Sequence, residues 1–129
     1  MQAIITQGKL MKTTDDIVSL CSTGVEKESF LPAPEKIISG NPRQNIWNLY
    51  SSRDAKFHSG IWDAEAGQWH IHYTEDEYCM ILEGESVIAD EQGRERTVKA
   101  GDQFVIPSGF KGTWKVPVYC KKIYVIYEA

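Results

Sequence analysis

The chain of 129 residues is long enough for one domain with a proper hydrophobic core and needs no disulfide staples. With 42% apolar and 25% charged residues it has the composition of a globular protein, and its net charge of −4 argues against a nucleic-acid or anionic-membrane partner. No apolar run approaches the roughly 20 residues that span a bilayer. No basic stretch followed by an apolar run opens the sequence, so a cytoplasmic protein without a signal peptide is expected.

Cys21, Cys79 and Cys120 are odd in number and widely spaced, which excludes a disulfide framework and a structural zinc site and fits a reducing compartment. Lys111, Lys115, Lys121 and Lys122 make the last third locally basic, the pattern of solvated strand faces.

In chain order, residues 1–31 form an N-terminal arm or extension. Loops are expected at 6–9 and 24–29, and Thr14-Asp15-Asp16 offers either a short helix start or an extended arm. From Pro32 the signals are those of β structure, and 32–129 is the expected domain. Pro32-Ala33-Pro34 is an extended entry. Short strands are expected at 35–39, 45–50 and 56–63, and a turn at Ala66-Gly67 leads into a strand carrying His70 and His72. Strands at 78–82, 86–89, 94–98, 103–106, 113–116 and 119–127 follow, punctuated by Gly84, Gly93, Gly101 and Pro107-Ser108-Gly109. Many short strands joined by short connections predict an all-β, antiparallel sandwich or barrel.

Residues 67–84 carry the chemistry. His70 and His72 stand at i and i+2, so on a strand both imidazoles face one side. If Glu77 opens the next antiparallel strand, its carboxylate can reach the same point. Two imidazoles and a carboxylate suit a divalent transition metal, with Mn, Fe, Ni and Zn all compatible and open positions left for water or substrate. The alternation of Trp69, Ile71 and Tyr73 with the histidines equally fits two polar residues on the wet face of a strand. Cys79 shares the face of Glu77 and reads as a small buried residue. His58 reads as an ordinary histidine, or else as a contact to the pair, and Gln103 offers an amide oxygen.

These residues resemble the cupin superfamily. His70-Ile71-His72, four residues, Glu77, six residues and Gly84 are similar to the first cupin motif; Gly101, Pro107 and Gly109 are similar to the second, Gly-x5-Pro-x-Gly. The motif's third histidine position is held by Gly112. Glu75-Asp76-Glu77-Tyr78-Cys79, Leu82-Glu83-Gly84, the run from Pro107 to Trp114 and Lys122-Ile123-Tyr124-Val125-Ile126 resemble the single-domain cupins grouped with ureidoglycine aminohydrolase and the ethanolamine-utilisation cupins.

The resemblance covers 34–127. It implies a double-stranded β-helix, a jelly-roll barrel, that pairs as a homodimer through outward apolar strand faces. It also implies a small-molecule pocket inside the barrel. Three functional expectations follow. The first is a metal-dependent enzyme with His70, His72 and Glu77 as ligands and Glu77 as catalytic group, acting on a small polar metabolite by C–N hydrolysis of a ureido-type compound. The second is a non-catalytic binding or accessory cupin with a degenerate metal site, its pocket filled by Trp114. The third is a cupin dioxygenase or isomerase.

Overall fold

The computed structural model describes residues 11–129. The loop expected at 6–9 lies outside the described residues. Eight strands follow in order: β1 (Glu28–Phe30), β2 (Ile37–Gly40), β3 (Gln44–Ser51), β4 (Phe57–His72), β5 (Asp76–Asp90), β6 (Glu95–Lys99), β7 (Gln103–Ile106) and β8 (Lys111–Tyr127). Every pairing is antiparallel. The only helical pieces among the described residues are two 3₁₀ turns, Thr14–Asp16 and Pro34–Lys36. The first is the short helix start; Thr13 caps it, accepting from the Asp15 amide while Asp16 accepts from the Thr13 amide.

The strand order is β1-β3-β4-β8-β5-β6, with β2 also on β4 and β7 also on β5. Three long strands therefore run through the whole molecule, and short strands flank each half. β8 is paired along β4 on one edge and β5 on the other, and β5 takes β7 on its first half and β6 on its second. This is the expected all-β antiparallel barrel.

Three expected chain breaks are not breaks. Residues 66–67, 84 and 117–118 lie inside β4, β5 and β8 respectively. Register shifts between Glu65 and Gly67, and in β5 between Ile81 and Glu83 and between Gly84 and Val87, mark bulges where the long strands bend instead of stopping. At Gly84, with φ +72°, a Cβ would run into the Tyr119 carbonyl, so only glycine lets β5 and β8 meet there. The strand expected at 35–39 splits into the Pro34–Lys36 turn and β2, because Pro34 favours a helical first turn. Within the expected arm, residues 28–30 form β1, hydrogen-bonded to β3.

The register shift between β4 and β8 has a further effect. Before it, the even-numbered Trp62 and Ala64 belong to the core; after it, the odd-numbered Trp69 does, with Ile71 and Tyr73 packed against the same cluster. Between Glu65 and Gly67 on β4, the facing run of β8 from Tyr119 to Val116 is one residue longer, so β8 keeps its even-numbered residues inward while β4 changes parity.

Candidate functional site

A cavity of about 360 Å³ opens at one end of the barrel. Its walls are aromatic: Trp62 packs edge-on to Trp114 with centroids 5.7 Å apart and lies 6.4 Å from Trp69. Trp114, 1% exposed, forms the floor, and its indole N–H donates to the Ser86 hydroxyl at 2.9 Å. Trp114 thus fills the barrel interior beneath the cavity without closing it.

The polar centre is a buried ion pair. Lys122, on β8, places its ammonium 3.2 Å from Glu77 Oε2 and 3.3 Å from Oε1, and 3.5 Å from Cys79 Sγ. The ammonium also stands over the faces of Trp114 and Trp62, 4.4 and 4.6 Å from their centroids. Tyr73 donates its hydroxyl proton to Glu77 Oε1 at 2.6 Å. Cross-strand register explains the assembly: Trp62 is paired with Lys122, and Lys122 with Ile81, four residues along β5 from Glu77 on the same face.

Burial disfavours the Lys122 ammonium, but the facing Cys79 sulfur and Glu77 carboxylate outweigh it and hold the amine above its ordinary value. Burial pushes the Cys79 thiol up to about 12 against the opposing pull of Lys122, so at neutral pH it is an uncharged acceptor. Burial and then the Glu77 charge raise the Tyr73 phenol well above its ordinary value, which keeps its proton available to Glu77. Burial likewise raises the Tyr124 phenol to about 12. A group whose pKa is raised on folding contributes stability that is complete below its unfolded pKa and is lost as pH rises toward the folded one. All four groups act in the same direction. The melting temperature is expected to hold between pH 7 and 8 and to fall from about pH 9, the ordinary thiol value, upward. A melting temperature that stays flat to pH 11 in a calorimetric series would contradict this electrostatic account.

The expected metal ligands do not converge. Glu77 faces inward, but the parity inversion in β4 puts Trp69, Ile71 and Tyr73 inside and leaves His70 and His72 exposed at the cavity mouth. Among the described residues, no group of three or more His, Cys, Asp or Glu side chains is placed to hold a metal ion. Gly112 cannot have been exchanged for a histidine in this backbone, since its Cβ would meet the Ala89 carbonyl oxygen of β5. The donor set therefore does not fit a resident divalent cation: the ammonium of Lys122 already occupies the place facing the buried carboxylate.

His58 is elsewhere. A carbonyl only accepts, so Nε2 donates to Ala55 O at 2.8 Å and Nδ1 accepts from the Ser51 hydroxyl at 2.8 Å, pinning the β3–β4 hairpin. Gln103 is exposed, and its amide oxygen accepts from Tyr78. Lys122, assigned above to a solvated face, is 3% exposed. Its signal was present in the sequence, as the one lysine in register with Cys120, Tyr124 and Ile126 on a core-facing parity. Gln44, on β3, also lines the cavity; its side-chain oxygen accepts from the Trp62 indole N–H at 2.7 Å.

This fold, with its polar centre inside one end of an antiparallel barrel, is that of a cupin. Residues 51–124 match the model of the EutQ-like cupin domain, and the chain belongs to that family. Three solved structures share the fold. A protein of unknown function from Pseudomonas syringae is 24% identical with a TM-score of 0.72, over 80% of this chain and 45% of that one. This chain thus spans less than half of that protein. The EutQ protein of Clostridium difficile is 22% identical with a TM-score of 0.68, over 92% and 85% of the two chains. A candidate ethanolamine utilization protein Q from Salmonella typhimurium is 23% identical with a TM-score of 0.62, over 77% and 79%. No curated protein is detectably similar in sequence. No helix among the described residues is long and apolar enough to cross a membrane.

Proposed function

We propose that this EutQ-like cupin binds a small polar metabolite in the cavity at the barrel mouth, without a resident metal. The observation that carries the reading is the ion pair between Lys122 and Glu77, which sets a fixed cation against the buried carboxylate of the cavity. A concave, largely aromatic cavity with a few convergent polar groups is the usual form of a small-molecule site. The ureido-type C–N hydrolysis suggested by the resemblance would call on Glu77 to activate water. Both oxygens of Glu77 already accept from neighbours, Oε1 from Tyr73 and Lys122 and Oε2 from Lys122, so the geometry favours binding over turnover.

Elemental analysis of the purified protein tests the metal half of the reading. Well under one equivalent of Mn, Fe, Ni or Zn is expected, with no difference between the native chain and His70→Ala. A full equivalent that disappears in His70→Ala would overturn the proposal.

A further inference from the structure

We infer that the cavity is built to read a neutral, planar carboxamide-type group, one that presents a C=O and an N–H along a single edge. This rests on the reading above that the cavity is the ligand site. The first ground is charge. Lys122 and Glu77 cancel one another at the base of the cavity. A carboxylate ligand accepting from Lys122 would bring its second oxygen against Glu77. An ammonium ligand donating to Glu77 would be repelled by Lys122. A neutral group with an acceptor and a donor side by side meets neither repulsion and can still donate to Glu77 Oε2.

The second ground is the orientation of Gln44. The Trp62 indole N–H can only donate, so the oxygen of the Gln44 amide must face it and the nitrogen must point away. That nitrogen has no hydrogen-bond partner among the described residues. Gln44 lines the cavity, so this nitrogen is the donor it can present there. Trp62 is the hub: its face carries Lys122 and its edge fixes Gln44. The cavity therefore offers one donor, Gln44 Nε2, and one acceptor, Glu77 Oε2, which has a single partner, while the Lys122 N–H groups are directed at Glu77 and Cys79. The third ground is shape, since the aromatic walls at Trp62 and Trp69 suit a flat, uncharged group.

Propionamide, propionate and propylammonium have nearly the same size and differ in the group at issue. Each is titrated into the full chain, with the indole N–H resonances of Trp62 and Trp69 as readout. Propionamide is expected to shift both resonances and to bind at least about tenfold more tightly than the two ions. Gln44→Glu keeps an acceptor for Trp62 but replaces the amide donor by a carboxylate oxygen, and is expected to weaken propionamide by about tenfold or more. If that variant does not fold, the comparison of the three probes on the native chain still decides. Propionate or propylammonium binding as tightly as propionamide would overturn the carboxamide inference while leaving the cavity a ligand site. No response of either indole to any of the three would overturn both.

Discussion

Replacing Lys122 by methionine is expected to destabilise the fold by about 3–5 kcal/mol, because the change strands a buried carboxylate. Glu77 is 5% exposed and would keep only Tyr73 as a donor. The loss of the ammonium also removes its contacts with the faces of Trp62 and Trp114. Burial of an ion pair is weak ground for net stability, however, since desolvation of both charges opposes their attraction. The double variant Lys122→Met/Glu77→Leu should therefore recover most of what the single variant loses, despite leaving the Tyr73 hydroxyl without its acceptor. Urea unfolding of the native chain and both variants measures this. A single variant within 1 kcal/mol of the native chain, or a double variant less stable than the single, would show that the pair does not work as described.

Trp114→Ala is expected to cost a similar amount, about 3–5 kcal/mol, by a different route. Trp114 is 1% exposed at the centre of the barrel, so truncation leaves a cavity that the surrounding strands cannot fill without bending. It also leaves the Ser86 hydroxyl, 0% exposed, without its indole partner, and takes one aromatic face from Lys122. Trp114→Phe separates these effects. It keeps most of the ring volume and loses the hydrogen bond, and is expected to cost about 1–3 kcal/mol. Equal losses in the two variants would assign the whole effect to the bond with Ser86 and none to packing. Any loss beyond that of Trp114→Phe measures how far Trp114, as the floor of the cavity, supports the site above it.

Strand alternation and turn chemistry were enough for an all-β, antiparallel sandwich or barrel. Pro107, Gly109 and the spacing of His70, His72, Glu77 and Gly84 marked the cupin pattern, and the family match covers the same stretch. The site was less legible. The histidines have the right spacing to share a face, and they do share one, but it is the exposed face at the cavity mouth and not the buried one that holds Glu77. Spacing along a strand fixes which residues point together; it does not fix which way they point. That depends on the register shift at Glu65 and Gly67, where β8 carries one residue more than β4. Gly112 was visible as a departure from the motif, whereas its cause, contact with the Ala89 carbonyl, is a matter of how closely two distant strands approach.

The sequence by itself determined the all-β, antiparallel class, the cupin pattern and the absence of a histidine at Gly112, because alternation, glycine and proline act over a few residues. The inward direction of the Glu77 side chain came from the structure. Only the tertiary structure decided what faces Glu77. Lys122 lies 45 residues along the chain from it. The register of β8 between β4 and β5 brings that ammonium to the carboxylate and into the space between two tryptophans. A buried charge is stable only where a partner waits for it, and that meeting depends on long-range strand pairing.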